Sequence, residues 1–181
     1  MKLLLDTCVL FPTVMREMLL GTAATGAFTP LWSARILEEW ARAAAKLGPG
    51  GEAQARGEIA LVRAAWPGAE ITWKPSLEAR LWLPDPADLH VLAAAIAGSA
   101  DRIVTLNAKD FPRNILGEEG LDRIDPDSLL RGIWEEDPQG VAAVADAVWH
   151  EAERLSGQDW PMRKLMKKAR LPKLGKALAG A

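Results

Sequence analysis

The stretch from Asp85 to Pro112, DPADLHVLAAAIAGSADRIVTLNAKDFP, decides how this chain is read. Asp85 and Pro86 suit the start of a helix, because an aspartate accepts the first free N–H groups and a proline in the first turn forfeits a donor that has no partner there. LHVLAAAIAG then reads as a helix of small and aliphatic residues, and RIVTL as a strand ended by the polar Asn107. Asp110 follows in the loop. The order is helix, strand, acidic loop.

The same alternation runs through the residues before it. LLLDTCVLF, residues 3 to 11, has the length and apolar density of a central strand. PTVMREMLLGTAATG predicts a helix opened by Pro12 and closed near Gly21 or Gly26. In TPLWSARILEEWARAAAKLG, Ser33 is a candidate N-cap, and Ile36, Leu37, Trp40 and Ala44 are spaced to share one apolar face. Gly48, Pro49, Gly50 and Gly51 stop that helix. A further helix from about Glu52 to Trp66 ends at Pro67-Gly68, and AEITW alternates as a short strand would. Strands alternating with helices over residues 1 to 125 predict an α/β domain with a mostly parallel sheet, whose ligand crevice lies at the carboxyl ends of the strands. Asp6 and Asn107 fall at such ends.

After Asp125 the composition changes. Two Asp-Pro breaks precede an amphipathic helix predicted from about Gln139 to Leu155, with Val141, Val144, Val148 and Leu155 on or near one face. The last segment carries Arg163, Lys164, Lys167, Lys168, Arg170, Lys173 and Lys176 with no acid after Asp159, and Pro172 prevents one continuous helix. Such a cationic, amphipathic segment suits RNA phosphates, an acidic protein partner, or a mobile tail. Trp134, Trp149 and Trp160 are expected to pack this extension onto the domain. The expected organisation is a domain over residues 1–130 and a helical extension with a basic tail over 131–181.

At 181 residues, 49% hydrophobic and 25% charged, the chain is sized for one soluble globular domain with an appendage. A net charge of −2 argues against a protein basic all over. The single cysteine, Cys8, has no internal disulfide partner and reads as a small core residue. Met1-Lys2 runs straight into the apolar stretch without a signal-like hydrophobic region, and no apolar run reaches the roughly 18 residues of a membrane span. A cytoplasmic location, with no membrane contact, is the expectation.

Four places put acids where a solvated surface does not require them: Asp6 after three leucines, Glu38-Glu39 within a helix, Asp85 and Asp88 at a helix start, and Asp110 after a strand. Asp85 and Asp88 also have a structural role as helix caps, and Glu38 or Glu39 as a partner of Arg35 or Arg42. Asp6 has the poorest structural explanation, since a carboxylate in an apolar setting must be solvated, paired or bound to a cation. Together the acids suit Mg²⁺ or Mn²⁺, hard cations that take oxygen ligands and promote phosphodiester hydrolysis.

LLLDTCVL, WSARILEEW and DPADLHVLAAAIAGSADRIVTLNAKDF, in that order, resemble the PIN-domain family of metal-dependent ribonucleases over about residues 1 to 130, especially its VapC-like branch of bacterial toxins. The resemblance implies a three-layer α/β/α fold around a central, mostly parallel sheet, and an endoribonuclease that is the toxin of a type II toxin-antitoxin pair. It assigns Asp6, Glu39, Asp88 and Asp110 to catalysis and metal binding, with Glu38 and Asp85 as alternates. Thr7, Thr105 and Asn107 would position substrate or water, and Arg16 would contact a phosphate. His90, one position off the family pattern, is either a general base or a packed helical residue. Asn107 stands where relatives carry aspartate, which keeps a catalytically silent RNA- or partner-binding module as the alternative. RNA, an antitoxin and a homodimer are the implied partners. A response-regulator-like phosphoacceptor fits less well, because no lysine follows a late strand in the required place.

Overall fold

The structure, a computed structural model, describes residues 1–180. It is an α/β protein with a four-stranded, wholly parallel sheet in the order β2-β1-β3-β4, built from β1 (Lys2–Leu5), β2 (Thr29–Leu31), β3 (Arg102–Val104) and β4 (Asp122–Ile124). Leu3 of β1 pairs with Pro30 on one side and Arg102 on the other, and Ile103 pairs with Arg123. The chain thus starts in the middle of the sheet, moves to one edge and returns to the other side of β1. That reversal puts the topological switch point, where open parallel sheets bind their ligands, at the carboxyl ends of β1 and β3. Leu3, Leu4 and Leu5 are all fully buried, as expected of a parallel strand covered on both faces.

Contacts divide the chain into two compact units: Met1–Phe11 with Thr29–Ile124, and Pro12–Phe28 with Asp125–Ala181. The expected division at residue 130 follows the chain, whereas these units do not.

The first unit holds the sheet with α1 (Thr7–Leu10), α3 (Ala34–Ala45), α4 (Gly51–Ala65), α5 (Pro75–Ala79), α6 (Leu89–Ala97) and α7 (Arg113–Glu118). The long first strand predicted over residues 3 to 11 stops at Leu5. Asp6 ends it by accepting the Thr7 N–H and turning the chain into the single turn of α1. Ser33 caps α3 through the Ile36 N–H at 3.2 Å, and Ile36, Leu37, Trp40 and Ala44 are buried on one face. AEITW makes only a one-residue bridge, Trp32 with Glu70, so the predicted strand there is not formed. The three-residue strands β2 and β4 carry too little pattern to be read from sequence.

The second unit is helical: α2 (Thr13–Ala24), α8 (Pro126–Glu136), α9 (Pro138–Ser156), α10 (Met162–Lys168) and α11 (Pro172–Leu178). Here α2 packs on α8 and α9, α8 on α9 and α11, and α10 on α11. Both Asp-Pro pairs start helices: Asp125 accepts the Ser128 N–H and Asp137 the Gly140 N–H, with proline in the first turn. Gly26, at φ +92°, follows α2, and Gly21 lies inside it, where a Cβ would come 2.6 Å from a methyl of Val144. The predicted face of α9 is only partly buried: Val141 is in the core, while Leu155 is exposed. Asp127 is buried and caps α11, accepting the N–H groups of Lys173 and Leu174 at 2.9 and 3.0 Å. Trp149 donates its indole N–H to the Trp160 carbonyl within this unit. Among the described residues no helix is long and apolar enough to cross a membrane.

Candidate active site

Asp6 sits at the end of β1 with its side chain 7% exposed. One carboxylate oxygen accepts the Thr7 N–H at 2.7 Å; the other accepts the Thr105 hydroxyl at 2.7 Å and the Cys8 thiol at 3.2 Å. Its own N–H binds the Val104 carbonyl at 3.1 Å, so pairing between β1 and β3 delivers Asp6 and Thr105 to the same place. The buried charge is therefore held by donors rather than left bare, as the cost of an unpaired buried carboxylate demands.

Hydrogen bonds run outward from Asp6 in two directions. On one side the Thr7 hydroxyl donates to Glu39 at 2.9 Å, and the other oxygen of Glu39 lies 2.9 Å from Nε2 of His90 and 3.5 Å from Arg35. On the other side Thr105 accepts the Asn107 N–H at 3.0 Å, and the Asn107 amide donates to Asp88 at 3.2 Å. Asp88 belongs to a trio with Asp85 and Asp110 in which one carboxylate oxygen from each lies within 4.8 Å of the others. Asp85 caps the 3₁₀ turn Pro86–Asp88 through the Ala87 N–H at 2.9 Å. A 3₁₀ turn repeats every three residues, so a spacing of three brings the two aspartates to one side.

Four of the expected acids, Asp6, Glu39, Asp88 and Asp110, thus lie on or beside one hydrogen-bonded path. Asp6 and Glu39 are outside the close trio, and Asp85, an alternate in the sequence reading, is inside it. Glu38 points elsewhere: it pairs with Arg42 at 3.1 Å and Arg56 at 2.9 Å, and the hydrogen bonds from Arg56 and Arg42 hold its carboxyl down at about 2. Arg16 lies in α2, in the helical unit, 2% exposed and 3.4 Å from Glu17.

The electrostatics separate the acids. Burial, then the charges of Asp6, Asp85 and Asp110, push Asp88 up to about 6. Burial also acts upward on Glu39, but the hydrogen bonds from His90 and Thr7 and the Arg35 charge outweigh it and hold that carboxyl below its usual range. Burial and the Asp6 charge push Cys8 up to about 12, so the thiol stays protonated and serves as a donor to Asp6. This corrects the reading of Cys8 as plain core: it is half-buried and accepts the Leu106 N–H at 3.3 Å. Its position two residues after Asp6 on one helical turn was the available signal. Arg35 also escaped the sequence reading, where it appeared only as an ion-pair partner. It reaches the Ala87 carbonyl between Asp85 and Asp88 as well as Glu39 and Glu78. His90 is 1% exposed, and its Nδ1 has no hydrogen-bond partner among the described residues.

Three carboxylates this close, one of them reluctant to ionise, supply oxygen ligands only. That is the donor set of Mg²⁺ or Mn²⁺ rather than of a thiolate- or imidazole-seeking metal, so the residues present fit a hard divalent cation. No curated protein and no solved structure matches the chain. A family model described as a PIN domain matches residues 2–109, well over half of the sequence, and spans every site residue named above except Asp110. PIN domains are typically nucleases that act on RNA and usually use divalent metals, and on this match the chain belongs to the PIN-domain family.

Proposed function

We propose that this chain is a Mg²⁺- or Mn²⁺-dependent endoribonuclease of the cytoplasm, and the toxin of a type II toxin-antitoxin pair. The observation that carries the nuclease reading is the trio of Asp85, Asp88 and Asp110 joined to Asp6 through Asn107 and Thr105. In this reading Asp88, Asp110 and Asp85 hold the cation, and Asp6 adds a further negative charge beside them. When bound, the cation supplies positive charge that polarises a phosphodiester and makes a nearby water more acidic.

The remaining side chains orient the acids. Thr105 fixes one oxygen of Asp6, Thr7 spans Asp6 and Glu39, and His90 sets the rotamer of Glu39. Asn107 uses its amide to aim Asp88. Preorganisation of this kind places charge before substrate arrives, which is where catalytic electrostatics has its effect. Arg35, half-exposed beside Glu39, is placed to meet a phosphate oxygen. Arg16 is not given a substrate role, because it is buried.

Asn107 also favours the second reading, a silent RNA-binding module, since its neutral amide occupies an Asp88 oxygen that an aspartate would leave free. One assay separates the two. The purified chain is incubated with mixed RNAs, with and without Mn²⁺, beside Asp6→Asn and Asp88→Asn. Cleavage that needs the metal and is lost in both variants supports the enzyme. RNA retention without cutting supports the module, and cutting that persists in Asp88→Asn removes the proposed site. Growth arrest on expression, relieved by Asp88→Asn and by a co-expressed antitoxin, tests the toxin role; mixing the purified pair and sizing the product tests the antitoxin and homodimer contacts.

A further inference from the structure

We propose that the helical unit carries its own RNA-phosphate-binding face, formed by Arg163, Lys164, Lys167, Lys168, Arg170 and Lys176 on α10, α11 and the turn between them. The inference rests on the nucleic-acid reading of the chain and extends it to a surface outside the acidic site.

The two short helices form a hairpin whose apolar side is used up. Leu165, Met166, Leu171 and Leu174 are buried, and a Cβ on Gly175 would lie 2.8 Å from Cβ of Met166, so the helices meet closely. The six cations are left on the outside, all exposed. Among the described residues none of them forms an ion pair with an acid, in a chain where Arg35, Arg42, Arg56, Arg63, Arg80 and Arg113 all do. With Lys173, residues 163–176 hold seven of the 22 basic groups, while all 24 acids lie at or before Asp159. Segregation on this scale creates a local positive potential that solubility alone does not call for. Lys164 and Lys168 lie 5.8 and 4.6 Å from the centre of the Trp160 ring, which holds their heads over an aromatic face.

Arg170 is an independent sign. It follows the end of α10 with φ +63°, in a Schellman turn in which the Leu171 N–H binds the Met166 carbonyl and the Arg170 N–H binds that of Lys167. Glycine is the usual residue at that position. Of the seven described residues with positive φ, five are glycine and the others are Ser99 and Arg170. An arginine in this backbone conformation, exposed and without an ion-pair partner among the described residues, presents its charge at the end of α10. RNA is favoured over an acidic protein because the face offers charge without apolar area. The large exposed hydrophobic side chains are Met1, Leu47, Leu61, Trp82 and Leu155, none of them on α10 or α11, and a protein interface needs an apolar centre that a polyphosphate does not.

The test uses the full chain in EDTA, so that RNA stays intact, with a fluorescent single-stranded RNA of mixed sequence titrated at several salt concentrations. Lys164→Gln/Lys167→Gln/Lys168→Gln is expected to weaken binding about tenfold at low salt and to flatten the dependence of log Kd on log salt by about 2, since each phosphate contact on a single strand contributes about 0.7. Arg170→Gly is expected to raise the thermal midpoint while flattening the slope by about 0.7. Unchanged affinity and slope in the triple variant, or an Arg170→Gly variant that is stabilised with RNA binding intact, overturns the proposal. Binding of polyglutamate in preference to RNA also overturns it, in favour of an acidic protein. Metal-dependent cleavage is measured separately: tail-dependent binding without any cleavage leaves this face standing and removes the nuclease reading, and cleavage with tail-independent binding does the reverse.

Discussion

Replacing Asp88 by asparagine removes one charge from the acidic trio while keeping its shape and an oxygen to which the Asn107 amide can still donate. Asp88 is raised from 3.8 to about 6 by burial and by Asp6, Asp85 and Asp110. Two pK units correspond to about 3 kcal/mol, and solvent screening of a half-buried group reduces this to about 1–2 kcal/mol. The sign follows from the proton. The folded state binds it more tightly than the unfolded chain, so the fold has its full advantage below pH 4 and loses it as pH rises through about 6. In EDTA, Asp88→Asn should therefore be as stable as the parent at pH 4 and about 1–2 kcal/mol more stable at pH 8. Urea unfolding at a series of pH values measures this. With Mg²⁺ or Mn²⁺ at 100 times Kd the parent should gain about 2.7 kcal/mol and the variant far less, so their order reverses. Metal affinity should also rise with pH through about 6, because proton and cation compete for the same carboxylate. A variant less stable than its parent at pH 8 without metal, or equally stabilised by metal, would refute the account of the trio.

Three further outcomes follow from the geometry. Thr105→Val deletes the hydroxyl shared by Asp6 and the Asn107 N–H and should cost about 1–3 kcal/mol by chemical denaturation, with RNA cleavage falling further than the loss of folded protein accounts for. Glu39→Gln should abolish most cleavage, whereas Glu38→Gln, which only breaks an exposed network with Arg42 and Arg56, should leave kcat/KM within about twofold; initial rates on one RNA decide between the two neighbours. Gly21→Ala drives a methyl into Val144 and should lower stability by about 1–3 kcal/mol without changing metal affinity.

The parts legible in the sequence are those in which neighbours along the chain fix the structure. Ser33 with its apolar face at Ile36, Leu37, Trp40 and Ala44, and the small-residue helix after Asp85, form as read because capping and periodicity are local. Asp6 was recognisable as an acid needing a partner, yet that partner, Thr105, arrives from 99 residues away through strand pairing. The strand was overextended past Leu5 because apolar residues continue beyond it; capping by Asp6, which periodicity does not register, ends it. Glu38 and Glu39 are indistinguishable by type, and only the rotation of α3 decides that one faces Thr7 and His90 and the other faces Arg56. Asp85 joins Asp88 because the turn between them is 3₁₀, a difference of a fraction of a residue per turn that sequence does not state.

The helical unit is made of two pieces separated by almost a hundred residues, since α2 packs with α8 and α9 rather than being appended with them. A stop codon near residue 125 would therefore strip α2 of its packing partners and put apolar side chains such as Met15, Met18 and Leu19 at risk of aggregation. The early helix and the late ones therefore make one folding unit, and removing the late ones alone leaves the early one uncovered.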